Sequence, residues 1–285
     1  INNRKVNIQE FKRHILIPLK GDHLDKYRKE YNDMLLDKIS GVDSIKQEKY
    51  ITITVFKNNI DEARNFFSRT TVELSSHFSK LGSSLEELNA IDRLKILHDF
   101  YRNGMEEHFQ FDFKDFMYKG HDFKDAICPY QPEFHNKYFK LGDKFGRVLY
   151  LSNYASYIKD GFVAELCSLN RNLMYSMDII AVPTDEAIKE VENRLLGIET
   201  NITNWQRRQN ANNNFSAVIP YDMENQRKEA KEFLDDLIVR DQRMMLGCMT
   251  LVHLADSKEE LDNDSELLMA TARKYMCELS PLAFA

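Results

Sequence analysis

The side chains with the greatest potential for chemistry are the histidines and carboxylates of one short stretch. A metal ion favours such a composition, which consists of His98, Asp99, Glu106, Glu107 and His108. Gly104 interrupts the helical pattern between the two halves of the group, so the spacing does not predict that the ligands converge. A solvated helix end is therefore favoured over a metal-dependent hydrolase. A weaker group of the same kind consists of His121, Asp122 and Asp125.

A second group combines aromatic rings with lysines. It contains Phe100, Phe109, Phe111, Phe113, Phe116 and Phe123, interleaved with Lys114, Lys119 and Lys124. Such interleaving is typical of surfaces that stack the bases of single-stranded nucleic acid. However, the same stretch carries Asp112, Asp115, Asp122 and Asp125, which cancel the positive charge. Packing in a core or at a domain interface is therefore the favoured interpretation.

The familiar catalytic motifs are absent from the sequence. It contains neither a G-x-x-x-x-G-K-[ST] run nor a G-x-G-x-x-G run, so nucleotide phosphates would lack a backbone cradle. It also lacks the G-x-S-x-G and H-E-x-x-H patterns of hydrolases. We therefore predict that this chain is not itself an enzyme, with no catalytic residues and no cofactor or metal site.

A long apolar seam ends on the only tryptophan of the chain. A helix over residues 185–215 is predicted by spacings of three and four among Ile188, Val191, Leu195, Ile198, Ile202 and Trp205. Two interpretations of its end stay open. Trp205 closes the packed seam while the arginines favour the helix C-terminus, or a Trp–Arg pair beside adaptable amides forms a binding hot spot. The candidate interaction residues are Trp205, Arg207, Arg208, Asn210 and Asn212.

The elements that must position these residues are mainly helices. Helices are predicted over residues 22–39, 61–81, 84–103, 154–173, 222–242 and 257–279, in addition to the long helix. Strands are predicted over residues 49–56, 174–182 and 244–254, with a hairpin over 138–151. Residues 105–131 have no clean period, which predicts a loop or short helical turns.

A strand, a short turn and an acidic helix start recur at residues 51–63, 178–187 and 249–261. This recurrence fits ferredoxin-like βα units packed on small antiparallel or mixed sheets. Convergence on a common N-cap pattern is the open alternative. We predict a helix-rich α+β fold with two subdomains, residues 1–128 and 129–285, and a boundary near Cys128 and Pro129.

Composition and charge disfavour several classes of function. The 285 residues carry a net charge of −6, which disfavours a general binder of nucleic acid or of anionic membranes. The four scattered cysteines, none within metal-ligand spacing, indicate free thiols of a cytosolic protein. The longest apolar run, residues 244–255, is too short to span a bilayer. The chain starts at Ile1 without a methionine, and we expect it to be a fragment of a longer protein.

Residues 182–245 read VPTDEAIKEVENRLLGIETNITNWQRRQNANNNFSAVIPYDMENQRKEAKEFLDDLIVRDQRMM. This stretch resembles the N-terminal region of conjugative-transfer ATPases, the VirB-four type of type IV secretion systems. It is similar in particular to the branch carried by integrative conjugative elements, or conjugative transposons, of Gram-positive gut bacteria. Further similar stretches are ILIPLKGDHLDKYRKEYNDMLLDKI, EELNAIDRLKILHDFYR, KGHDFKDAICP and YASYIKDGFVAELCSLNRN, so the resemblance covers nearly the whole chain.

The resemblance implies a non-catalytic region that serves assembly and docking of a DNA-transfer motor. It implies an ATPase module with Walker motifs, ATP and Mg²⁺ after Ala285, and one or two further strands before Ile1. The implied partners are that ATPase domain, inner-membrane components of the secretion channel, and other copies of the chain in a hexamer. The implied location is cytoplasmic, at the inner face of the membrane. None of the family's catalytic residues has a matching position here.

A module that contacts the transferred single-stranded DNA is the alternative from another class. Arg207, Arg208 and the Phe/Lys stretch would be its contacts. The negative net charge makes nucleic acid a less favoured partner.

Overall fold

The computed structural model describes residues 1–5, 15–40, 45–215 and 218–284. Within these ranges the chain has nine α-helices and one eight-stranded antiparallel sheet. The predicted α+β class is confirmed. The helices are α1 (Asp25–Ser40), α2 (Ile60–Lys80), α3 (Ala90–Tyr101), α4 (Phe113–Lys119), α5 (Phe123–Ile127), α6 (Gly161–Cys167), α7 (Thr184–Ala211), α8 (Tyr221–Ile238) and α9 (Lys258–Lys274).

The strands are β1 (Asn2–Lys5), β2 (Ile45–Glu48), β3 (Pro132–Phe134), β4 (Phe139–Leu141), β5 (Lys144–Asn153), β6 (Asn172–Ala181), β7 (Met245–Ala255) and β8 (Glu278–Pro281). Their order in the sheet is β2-β1-β6-β7-β5-β4-β3, and β8 pairs with β5. The register places Asn3 opposite Leu173, and Val148 opposite Val252. Several strands that are neighbours in the sheet are therefore far apart in the sequence.

The described chain divides into two compact units. The first unit contains residues 1–176 and 250–285, and the second contains residues 177–249. These limits differ from the predicted boundary after residue 128, which stays a prediction. Strands β6 and β7 pass through both units, because each crosses a limit between them.

The core of the first unit lies where α6 and α9 pack near the central strands. Its largest, almost fully buried apolar side chains are Leu149, Phe162, Leu166, Leu173, Leu251, Leu261 and Leu268. Leu149 pairs directly with Leu251 across β5 and β7. Burial of such side chains supplies the main favourable term in folding.

Several predicted elements are confirmed. The hairpin over residues 138–151 forms as β4 and β5, with Gly142 at a φ of 58° in the turn. The strands near residues 174–182 and 244–254 form as β6 and β7, and the long helix forms as α7. The irregular stretch over 105–131 contains a 3₁₀ turn at Glu106–His108 and the short helices α4 and α5.

The strand predicted over residues 49–56 is not formed in the described structure. The side chains of residues 51–54 are exposed, and the strand β2 lies just before this segment. A high β-propensity needs a partner strand to become a strand, and none of the described strands pairs with this segment.

The helix predicted over residues 154–173 is also wrong in extent. Only Gly161–Cys167 is helical, and β6 already begins at Asn172. The pairing of β6 with β1, a contact distant in sequence, overrides the local helical pattern. Strand β8 was missed for the same reason, because it forms through pairing with β5.

Helix α3 begins six residues later than predicted from Ser84, at Ala90. The Asn89 side chain accepts hydrogen bonds from the Ile91 and Asp92 backbone N–H groups at 2.8 and 3.0 Å. The Asp92 carboxylate in return accepts from the Asn89 N–H at 3.2 Å. This reciprocal capping box satisfies N–H groups that would otherwise be unpaired at the helix start.

Replacing Asn89 with alanine is expected to destabilise the protein by about 1 kcal/mol, since the cap of α3 is lost. Urea unfolding followed by circular dichroism would measure the change. Ser84→Ala is the matched control and should leave stability unchanged, because Ser84 lies outside the helix. An equal loss in both variants would contradict the assignment of the cap.

Candidate functional site

The second unit is built on two long helices that pack side by side. Its buried cluster consists of Ala187, Val191 and Leu237, with Val182, Ile188, Leu234 and Met244 packed against it. Ile202 on α7 and Ala230 on α8 are also buried, and Lys231 lies 3.6 Å from Glu199. Ala187 near the start of α7 packs with Leu237 near the end of α8, and Glu199 further along α7 pairs with Lys231 earlier in α8. The two helices therefore run antiparallel and form a hairpin. The predicted apolar seam is thus a packing surface.

The end of α7 is fixed by its amides. The N–H of Asn212 bonds to the Arg208 and Gln209 carbonyls at 3.1 and 3.0 Å. The N–H of Asn214 bonds to the Gln209 carbonyl at 2.9 Å, and Asn213 takes a left-handed φ of 58°. Asparagine tolerates this conformation better than most residues do. The asparagine run therefore stops the helix and turns the chain.

The predicted interaction residues lie together at this end of the hairpin. Trp205 is half-buried at the end of the seam, so it contributes to packing. Arg207 and Arg208 are exposed, and within the described ranges neither forms an ion pair. Asn210 is exposed, and Asn212 is the exposed C-cap. Trp205 thus fits the interpretation as the packed end of the seam, whereas the exposed arginines and amides fit the interpretation as a binding hot spot.

Three residues that the sequence analysis missed complete the site. Phe215, Val218 and Tyr221 are 75%, 86% and 80% exposed where the chain passes from α7 to α8. The available signal was the run from Gln209 to Tyr221, in which 13 consecutive residues carry no charge. We call this set the hairpin tip; its members are Trp205, Arg207, Arg208, Asn210, Asn212, Phe215, Val218 and Tyr221.

A second set of exposed apolar side chains lies on the parts of β6 and β7 that belong to the second unit. Its exposed side chains are Met177, Ile179, Ile180, Met245 and Leu246, which we call the strand-end patch. Because neighbouring residues of a strand point to opposite faces, Ile179 and Ile180 are exposed on different faces, as are Met245 and Leu246. Both faces of these strand ends therefore carry exposed apolar side chains.

The predicted solvated helix end is wrong for His98 and Asp99, because both side chains are buried and have structural contacts. His98 is buried, and its Nδ1 lies 3.3 Å from Asp99 Oδ1. The other Asp99 oxygen accepts from Arg4 Nη1 at 2.7 Å, and Arg4 also pairs with Glu48. This network ties α3 to β1 and β2 within the first unit.

The other members of that group do not join it. Glu106 accepts a hydrogen bond from the N–H of Gly104 at 2.9 Å, and His108 is exposed. The side chain of Glu107 lies outside the described part of the chain. His121 and Asp125 form an exposed pair at 3.3 Å, with Asp122 at the start of α5. Among the described residues, no three histidine, cysteine or acidic side chains are placed to hold a metal ion.

Burial and charge act in opposite directions on the pKa of Glu48. Burial alone would raise the pKa of this carboxyl. Hydrogen bonds from Lys46 and Tyr50, together with the Arg4 charge, hold the pKa below its usual value. Glu48 therefore stays ionised as a partner of Arg4, which is a structural role.

The Phe/Lys stretch does not form one stacking surface. Phe111 packs against Phe116 with ring centroids 4.7 Å apart, and Lys119 pairs with Asp115 at 3.5 Å. Phe113 and Phe123 are exposed. Acidic and basic groups alternate along these short helices, so the structure gives no continuous basic groove here.

No protein-family model matches this chain, and no curated protein matches it significantly. In the described part of the chain, no helix has both the length and the apolar character needed to cross a bilayer.

Proposed function

We propose that this chain is the docking and assembly region of a conjugation motor of the VirB-four type. The sequence resemblance over nearly the whole chain supports the proposal. The structural observation that carries it is the hairpin tip, where aromatic, arginine and amide side chains are exposed together. Tryptophan, tyrosine and arginine are the residues that most often supply the binding energy of an interface.

In this proposal the chain itself does not hydrolyse ATP. An ATPase module after Ala285 of the parent protein would supply that reaction. The hairpin tip docks the motor at the inner face of the cell membrane, where the channel components lie. The strand-end patch contacts the attached ATPase domain or a neighbouring copy, because its apolar side chains favour burial.

Competition in a donor cell tests this function. Overproducing this chain at a roughly tenfold excess over the intact motor should occupy most docking sites and lower the transfer frequency by about tenfold. The measurement is the number of transconjugants per donor, with the element and its own motor left intact.

The control is the double variant Phe215→Ser with Tyr221→Ser, which removes exposed apolar groups that stabilise no buried core. It should restore most of the transfer frequency at equal protein levels. Leu196→Ser, at another exposed apolar position of α7, should still inhibit. An unchanged transfer frequency with abundant wild-type chain would contradict the docking function.

A further inference from the structure

The hairpin tip has the composition of a membrane-contacting loop. Its uncharged run, Gln209 to Tyr221, contains only amide, small, apolar and aromatic residues in a chain with 29% charged residues. The side chains of Phe215, Val218 and Tyr221 are largely exposed, as side chains that enter a bilayer interface must be. Tyrosine is preferred at that interface, because one end of its ring is apolar and the other is a hydroxyl that tolerates water, while phenylalanine and valine contribute apolar area.

The charges next to the run complement an anionic surface. Arg207 and Arg208 precede it, and both are exposed and without ion pairs among the described residues. Asp222 follows it in the first turn of α8, whereas Glu224 is neutralised by Arg227 at 2.6 Å. The tip is therefore locally positive although the whole chain carries a net charge of −6.

We infer that the hairpin tip binds a bilayer containing anionic lipids, with Phe215, Val218 and Tyr221 among the headgroups and Arg207 and Arg208 on lipid phosphates. This inference rests on the proposed docking function and names the lipid surface as one partner of the tip. The exposed position of the three side chains at the end of a helical hairpin suits insertion. Few apolar groups take part, so the contact is weak and reversible, and in the cell the channel components add a second attachment.

The chain offers an internal reporter for this contact. Trp205 is the only tryptophan, and it lies at the base of the tip. The wild-type chain is mixed with vesicles of phosphatidylcholine containing 30% phosphatidylglycerol, or of phosphatidylcholine alone. We expect sedimentation with the anionic vesicles only. Lipids brominated near the headgroup should quench the fluorescence of Trp205.

Two double variants separate the contribution of the arginines from that of the aromatic side chains. Arg207→Ala with Arg208→Ala should weaken binding to anionic vesicles by roughly tenfold or more, because each arginine near an anionic surface contributes measurably. Phe215→Ser with Tyr221→Ser should remove the quenching. Arg194→Ala and Leu196→Ser, on the exposed part of α7 away from the tip, are the matched controls and should bind normally.

Equal binding to both kinds of vesicle, no binding to either, or undiminished binding by the tip variants would overturn the inference. The vesicles contain no channel protein, so this failure is distinct from failure of the docking function. If the chain inhibits transfer through the tip but does not bind vesicles, a protein partner occupies the tip and the lipid inference is wrong.

Discussion

Acidification is expected to destabilise the first unit through His253, by about 1.4 kcal/mol for each pH unit below 6.5. Burial, and then the nearby charge of Arg147, lower the pKa of His253 from 6.5 to about 3. Because the folded-state pKa is below the unfolded value, the unfolded chain binds the additional proton. The stability contributed by neutral His253 is therefore complete above pH 6.5 and is lost as the pH falls towards 3.

The contacts of His253 explain why it stays neutral. Ser265 Oγ donates to the Leu261 carbonyl at 2.8 Å and accepts from Arg147 Nη1 at 2.7 Å. His253 Nε2, 3.0 Å from the same oxygen, must then donate its proton. That leaves Nδ1 unprotonated and buried, with no hydrogen-bond partner among the residues that the structure describes. A second proton there would place a charge in an apolar site beside the Arg147 guanidinium.

Urea unfolding between pH 7 and about 4 measures the effect, with His253→Gln as the comparison. Glutamine keeps a nitrogen donor but does not titrate in this range. We expect the wild type to lose about 3 kcal/mol more than the variant between pH 6.5 and about 4. Parallel pH profiles for the two proteins would show that His253 does not govern acid stability.

Substitution of Gly146 is expected to destabilise the β4–β5 hairpin by about 1–3 kcal/mol for alanine and by more for valine. Gly146 lies opposite Phe139 in the pairing of these strands, and the buried Phe139 ring covers it. A Cβ atom there would overlap two ring carbons of Phe139 and lie 2.9 Å from Cδ2 of Leu254. The glycine is required by this close approach of the ring.

A double-mutant cycle tests this explanation. Phe139→Ala removes the ring, so a following Gly146→Ala should cost little in that background. The measured quantity is the free energy of unfolding of the four proteins. If alanine at position 146 costs the same with and without the ring, backbone conformation rather than crowding is responsible.

The sequence predicts best the elements that depend on local pattern. The three-and-four spacing from Ile188 to Ile202 identified α7, and Gly142 with its flanking apolar residues identified the hairpin. These signals need no information about distant partners. The errors occur in segments whose secondary structure depends on whether they pair with another strand. The segment at residues 51–56 has strand propensity without a described partner, whereas β8 has little propensity but pairs with β5.

The candidate site was predicted only in part. Arg207, Arg208 and the asparagines were identified from composition, but Phe215, Val218 and Tyr221 were missed. Phe215 and Val218 lie outside the helices, and Tyr221 is only the first residue of α8. Their importance depends on exposure, which periodicity does not report. The network of His253 was likewise missed, because Arg147 and Ser265 are distant from it in the sequence and meet it only in the folded sheet.

The exposed segment after β2 has a consequence for the solution behaviour of the protein. The stretch YITITVF is uncharged and rich in β-branched and aromatic residues, which is the composition of segments that nucleate intermolecular cross-β stacking. Lys49 and Lys57 flank it, and their like charges keep two such segments apart. Salt weakens this repulsion. The two lysines are thus expected to act as gatekeepers against aggregation at low ionic strength, and solubility is expected to fall when salt screens their charges.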